Sequence, residues 1–467
     1  MPERPPESAP RPRVLVVADS ANPEWSSASL VGWSLTSALR SVADVHLVTH
    51  LRNRENLMHA GWLEGRDFTA IDPSAVEAPV TRVGEGIRKL TRLGWTWTTA
   101  YSTLAYYWFE SLVWRRFGGE IRARHWDVVH RITPVSPAVP STLAARCSRA
   151  GVPFVLGPVN GGVPWPREFR EALRREGEWL SYLRGARKLL PAYRSTRSSA
   201  AALLAGSSYV WEDLAPYRER TVYLPENAID PERFRGVTGP RAEGPLRIVF
   251  VGRLVPLKGV DMLVEAAVPL LQAGKATLDL VGDGPEMAAL RAQIAQAGVA
   301  AAVSLPGWID QREVIPRIAR ADVLGFPSIR EFGGGVVLEA MALGVTPVVV
   351  DHGGPKELVT DETGVRVPLG TRAEIVARLR QVLESLETDR SRVAAMGERG
   401  RQRVAALFTW EVKAAQVAEV YRWVLGQRAR PDFGIPLREP ADLTPVQAAP
   451  TPGPAARSAR PSPVASP

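Results

Sequence analysis

The chain has one cysteine, Cys147, among its 467 residues. That excludes an intramolecular disulfide and a cysteine-held metal cluster. No Asp-any-Asp triplet occurs, and the six histidines show no metal-ligand spacing. A bound metal is therefore not expected. There is no Gly-any-Ser-any-Gly elbow of the serine-hydrolase kind. Long apolar runs are missing too. The longest aromatic uncharged stretch, residues 93–109, is rich in Thr, Ser and Tyr. It falls short of the ~20 apolar residues a membrane-spanning helix needs. Residues 1–13 are proline-rich and charged, with no apolar segment of the signal-peptide kind. A cytoplasmic location is the expectation.

Hydrophobic residues make up 45% and charged residues 23%, ordinary globular values, and the length suffices for two domains with separate cores. The net charge is +9 and is concentrated in the first half. Residues 82–124 and residues 167–197 are each net +5, and eleven of the fourteen tryptophans occur by Trp211. Basic charge mixed with Trp and Tyr suits an anionic membrane surface. Trp95, Trp97, Trp108, Trp114, Trp179 and Leu180 are the residues expected to meet it. The competing reading is a solvated basic face over core aromatics. No nucleic-acid motif is present, and no nucleic-acid partner is expected.

Short apolar runs at 13–19, 45–48, 127–130, 153–157, 201–205 and 221–224 read as strands, with helical spacing at 28–39. A second series follows at 246–251, 277–281, 303–305, 323–326, 347–350 and 364–367. Alternating strands and helices predict parallel sheets covered on both faces. The expected organisation is α/β with two Rossmann-like domains facing each other across a cleft. They span 13–225 and 246–407, joined by a linker at 226–245. The helical stretch 408–427 follows, with tails at 1–12 and 428–467 expected to be disordered.

The most informative segment is Glu331-Phe332-Gly333-Gly334-Gly335-Val336-Val337-Leu338-Glu339. It joins a buried strand to a helix. Glycines there allow a tight turn and close ligand approach, and free amides at a helix start favour an anion. A carboxylate on either side suits a ligand with both phosphates and sugar hydroxyls.

Two glutamates eight apart at such a turn resemble the signature of retaining, nucleotide-sugar-dependent glycosyltransferases of family 4. Four further segments resemble that family, in its order. They are Phe250-Val251-Gly252-Arg253-Leu254-Val255-Pro256-Leu257-Lys258-Gly259, Leu280-Val281-Gly282-Asp283-Gly284-Pro285-Glu286, Leu305-Pro306-Gly307-Trp308-Ile309 and Pro225-Glu226-Asn227-Ala228-Ile229-Asp230. The likeness is specific over about 220–370. It implies the GT-B fold, with the last helix crossing back onto the first domain. Arg253 and Lys258 would hold the donor's diphosphate, and Glu331 would contact hydroxyls of the transferred sugar. Glu339 would contact the ribose, the amides near Gly334, Gly335 and Val336 the phosphates, and Ile309 the base. The donor would be a nucleotide-diphosphate sugar, a co-substrate and not a cofactor. The acceptor would be a saccharide or lipid-linked glycan in surface polysaccharide or glycolipid synthesis, met at the inner face of the membrane.

The first domain departs from the family. Its first strand-to-helix loop, Ala21-Asn22-Pro23-Glu24-Trp25-Ser26-Ser27, lacks the usual glycine pair. No histidine stands in Gly157-Pro158-Val159-Asn160-Gly161-Gly162, where many members have one. Asn160 or His130 is the candidate replacement. These altered loops support an alternative, a catalytically inactive nucleotide-sugar-binding subunit.

Overall fold

The computed structural model describes residues 11–76, 95–175, 190–237 and 244–438. Trp179, Leu180, the basic positions 82, 88, 89, 92, 184, 187 and 188, and the tail beyond 438 lie outside the described residues. So do the side chains of Trp95 and Trp97.

Two parallel sheets form. The first has the order β3-β2-β1-β4-β5-β6-β7. Its strands are β1 (Arg13–Ala18), β2 (Asp44–His50), β3 (Phe68–Ile71), β4 (Val128–Thr133), β5 (Phe154–Val159), β6 (Ala202–Ala205) and β7 (Thr221–Tyr223). The second has the order β10-β9-β8-β11-β12-β13. Its strands are β8 (Leu246–Val251), β9 (Ala276–Val281), β10 (Val303–Gly307), β11 (Val323–Phe326), β12 (Thr346–Val350) and β13 (Val365–Val367). Both are doubly wound, with strand order reversing at β1/β4 and at β8/β11.

Strand alternation explains why the first sheet is covered on both faces. Val14, Val16 and Ala18 pack into one core cluster, and Leu15 and Val17 into another. The first face carries the helix Ala28–Leu39, and the second carries the helix Trp95–Arg122. Tyr106, Phe109, Val113, Phe117 and Ile121 bury one stripe of that long helix at three- and four-residue spacing. These aromatics are core. Among the described residues no helix is long and apolar enough to cross a membrane.

The last helix, Trp410–Val424, lies on the first domain. Val417, Val420 and Tyr421 are fully buried beside Val14, Val31 and Leu35. Each such side chain stabilises the docking by roughly 1.5–3 kcal/mol, so the helix ties the chain's end to its beginning.

The expectation of disorder from 428 needs correcting. Residues 428–438 form a strap across both domains. Phe433 packs against the core of each, and Leu437 is buried in the second. Arg430 donates to the carbonyls of Arg218 and Thr221 at 2.9 and 3.0 Å. Arg403 donates to the Leu437 carbonyl at 3.1 Å. The segment's proline-rich composition hid two anchoring apolar side chains.

Candidate active site

β8 and β11 are neighbours in the second sheet, at its switch point. The loops that leave their carboxyl ends therefore meet, although 73 residues separate Lys258 from Glu331. Lys258 pairs with the Glu331 carboxylate, and both side chains are mostly covered, at 17% and 18% exposure. The Lys258 ammonium also lies 4.9 Å from the centre of the Phe326 ring, a favourable cation–π contact. Arg253, on the same loop, is exposed and has no ion-pair partner among the described residues. The turn after β9 braces this loop, with Leu254 N–H donating to the Asp283 carbonyl at 2.9 Å.

The glycine run turns sharply. Gly334 sits at φ 73°, a left-handed conformation that favours glycine, and starts the helix Gly335–Ala342. No side chain caps that helix, and the space where a Gly335 side chain would stand is open. The first amides of the helix, at Gly335 and Val336, are therefore without a side-chain cap, and free amides at a helix start favour an anion. Glu339 lies one turn in. Burial raises its pKa, with Arg233 opposing the rise. Its carboxylate has no hydrogen-bond partner among the described residues. Ile309 packs at the edge of the core, whereas Trp308 beside it is 76% exposed. The geometry gathers Arg253, Lys258, Glu331, Gly334, Gly335 and Val336 around the end of β8 and β11.

The first-domain candidates take other roles. His130 is completely buried. Its Nε2–H donates to the Gly157 carbonyl at 2.6 Å, and its Nδ1 accepts from the Tyr421 hydroxyl at 2.7 Å. Burial pushes its pKa down to about 4. It fastens the returning helix to β5 and does not reach the cleft. Asn160 does reach the second domain, but through protein. One Nδ2 donates to the Glu226 carboxylate at 2.7 Å and to the Phe332 carbonyl at 2.9 Å. Its Oδ1 accepts from Gly161 N–H at 2.7 Å. Both amide protons are committed.

Further residues that the sequence reading missed join the two halves. Glu357 accepts from Ser208 N–H and Oγ–H at 2.9 and 2.6 Å and from the Tyr223 hydroxyl. His352 meets the Tyr209 hydroxyl at 3.1 Å and the Pro164 carbonyl at 3.2 Å. Arg330 Nε donates to the Val163 carbonyl at 3.1 Å. The available signal was Gly353-Gly354-Pro355 after β12, a further strand-to-helix turn. These contacts join the loops beyond β5 and β6 and the last residue of β7 to loops beyond β11 and β12, so the carboxyl ends of the two sheets face each other. A cavity of about 940 Å³ behind this junction, under the 430–438 strap, contains none of the residues named for catalysis.

Two facing doubly wound units with a returning C-terminal helix, and cations and carboxylates gathered at the second unit's switch point, define a glycosyltransferase of the GT-B class. Solved structures share the fold. That of Anabaena Alr3699/HepE in complex with UDP superposes with a TM-score of 0.56 at 17% identity, covering 87% of this chain and 99% of its own. The profile described as Glycosyl transferases group 1 matches residues 237–403. The GDP-mannose-dependent alpha-(1-6)-phosphatidylinositol monomannoside mannosyltransferase of Mycobacterium tuberculosis is 32% identical over 327 residues, 65% of this chain and 79% of that protein. The 2-deoxystreptamine glucosyltransferase of Streptomyces kanamyceticus is 26% identical over 78% of this chain and 91% of its own length. This chain belongs to the glycosyl transferases group 1 family.

Proposed function

We propose that the protein is a retaining, metal-independent hexosyltransferase that moves a sugar from a nucleotide-diphosphate donor to a glycan or lipid-linked acceptor. The observation that carries this reading is the meeting of an unpaired cation, Arg253, a paired one, Lys258, and the uncapped helix start at Gly335. Breaking the bond from anomeric carbon to diphosphate oxygen leaves negative charge on the phosphate. Fixed cations and amides aimed at that charge lower the barrier. Arg253 and Lys258 then take the diphosphate without a metal. Glu331 takes hydroxyls of the transferred sugar, Glu339 the ribose, and Ile309 lies beside the base. Retention is inferred from the two-glutamate signature. The mannosyl and glucosyl specificities of the relatives make GDP-mannose and UDP-glucose the first donors to try.

The test is thermal shift with GDP, UDP and the two sugars, followed by proton NMR of the product's anomeric configuration. A ligand that binds only the folded protein raises its melting point. Inversion at the anomeric centre would overturn the retaining assignment. The alternative, a donor-binding subunit without activity, draws on Asn160 and His130 being committed to protein contacts. A melting shift with neither hydrolysis nor transfer of donor would favour it.

The acceptor side is proposed to work at the inner face of an anionic membrane. Arg115, Arg116, Arg122 and Arg149 are exposed. Arg115 covers Trp108, and Arg122 and Arg146 cover Trp114, with guanidinium-to-ring distances of 5.2 to 5.4 Å. Each basic residue near such a surface adds on the order of 1 kcal/mol, screened by salt. Binding to anionic vesicles should be reversible and salt-sensitive. Equal recovery in the supernatant with neutral and anionic vesicles at low salt would remove the membrane from this reading.

A further inference from the structure

Glu331 stands between two residues that are each held from the opposite domain. Arg330 Nε donates to the Val163 carbonyl at 3.1 Å, and the Phe332 carbonyl accepts from Asn160 at 2.9 Å. Val163 and Asn160 belong to the loop after β5 of the first sheet. Asn160 cannot swing away freely, because Gly161 N–H fixes its Oδ1 and its own N–H donates to the Val135 carbonyl at 2.8 Å. Its second amide proton goes to Glu226, which is buried on the linker between the domains. Burial raises the Glu226 pKa to about 7. Gly333 fits closely over this pair, since a side chain there would strike Asn227 and the Glu226 carboxylate. One amide group thus touches the first domain, the linker and the glycine run at once.

We propose that Asn160 and Glu226 act as a positioning pair that holds Glu331 in register with Lys258 when the two domains are closed. The inference rests on the reading of Glu331 as a contact of the transferred sugar. The Asn160 amide is committed to protein groups, so the role assigned to the pair is positioning and not donor contact. Asn160 fixes the Phe332 carbonyl, and the Glu331 carbonyl next to it accepts from Gly354 N–H at 3.0 Å. The backbone on both sides of the Glu331 side chain is therefore set. Glu226 keeps Asn160 aimed by accepting its other proton. Closure of the domains and assembly of the site become one event. A shift of about 1 Å in a group that must meet a transition state costs on the order of 10²-fold in rate.

Two measurements test the pair. In the full chain without ligand, Asn160→Ala should speed hydrogen exchange in residues 327–338 and at the Gly354 amide by about tenfold or more, with β8 and β11 unchanged. Unchanged exchange in those segments would overturn the proposal, as would equal acceleration throughout the sheet. With GDP-mannose or UDP-glucose, whichever the wild type turns over, Asn160→Ala and Glu226→Ala should each lower kcat ~10²-fold. The affinity for GDP or UDP should stay within about threefold, and the double variant should be no worse than either single one. Glu226→Gln, which still offers Oε1 as an acceptor, should restore most of kcat. A normal kcat in Asn160→Ala would sink the idea, as would a Glu226→Gln variant as poor as Glu226→Ala. If Glu331→Ala turns over normally while exchange behaves as expected, the sugar-contact reading fails and the clasp itself stands.

Discussion

The two sheets share a strand order, yet their carboxyl ends are finished differently. In the first domain three side chains there are committed to protein contacts. His130 bonds Tyr421 and Gly157. Arg131, fully buried, donates to the carbonyls of Val139 and Pro134 at 2.8 and 2.9 Å. Asn160 bonds Glu226 and Phe332. In the second domain Arg253 and Glu339 have no ion-pair or hydrogen-bond partner among the described residues, and the helix start at Gly335 is uncapped. Arg253 is exposed and Glu339 half-buried, so both remain open to a partner from outside the protein. Under the proposed function these groups, gathered at one switch point, are the ones a donor would meet. On the proposed function, the same fold serves as a frame on one side of the cleft and as a donor seat on the other.

The sharpest way to break this contrast is to remove the seat. Glu331→Ala and Lys258→Ala should each lower transfer by ~10²-fold or more. Their ion pair is mostly covered, so each variant leaves its partner unpaired and should also lower the melting point; transfer is compared on the folded fraction. Near-normal steady-state turnover in either variant would place the chemistry elsewhere.

His130 tests the frame. His130→Ala leaves the Tyr421 hydroxyl and the Gly157 carbonyl without partners and should cost about 1–3 kcal/mol of stability, read by denaturant unfolding. Turnover by the folded protein should stay within about threefold, and a ~10²-fold fall in kcat with normal stability would give His130 a direct role. The wild type should also show a pH signature. The native imidazole is held neutral to about pH 4, whereas in the unfolded chain it protonates near 6.5. Its contribution is present above pH 6.5 and is lost as pH falls through about 4, on the order of 3 kcal/mol. The unfolding free energy of His130→Ala should lack that component between pH 6.5 and 4.

The strap offers a smaller effect. Ending the chain after residue 427 removes Phe433 and Leu437 and should cost roughly 2–4 kcal/mol. Ending it after 438 keeps both anchors, and its melting curve should overlay that of the full chain. Equal melting of all three forms would show that the strap does not hold the domains. The smallest expected effect is that of chelator. Arg253, Lys258 and the Gly335 amides should meet the leaving charge, so turnover should persist in excess EDTA. Loss of turnover restored by magnesium or manganese would add a metal to the seat.

Much of the frame was legible in the sequence because periodicity and turn residues are local signals. Residues 28–39 form the expected helix, and 246–251 and 323–326 the expected strands. The edge strand β3, four residues long, was missed because so short a run carries too little pattern. The helix Trp95–Arg122 was missed because its polar aromatic start masks the apolar stripe that follows. The strap was missed because proline-rich composition outweighed two anchors.

The sequence by itself determined the order of strands and helices, the glycine turn that frees the helix start at Gly335, and which charged residues stand near it. These follow from spacing and residue type, which are properties of neighbours along the chain. Tertiary structure decided which charges meet and which remain without partners. Lys258 reaches Glu331 because β8 and β11 pair across the switch point. His130 is closed off because Tyr421, 291 residues later, returns to it. Asn160 finds the Phe332 carbonyl because the two domains close on each other. Whether a polar group is satisfied depends on what folding brings to it in space, and spacing along the chain carries no record of that.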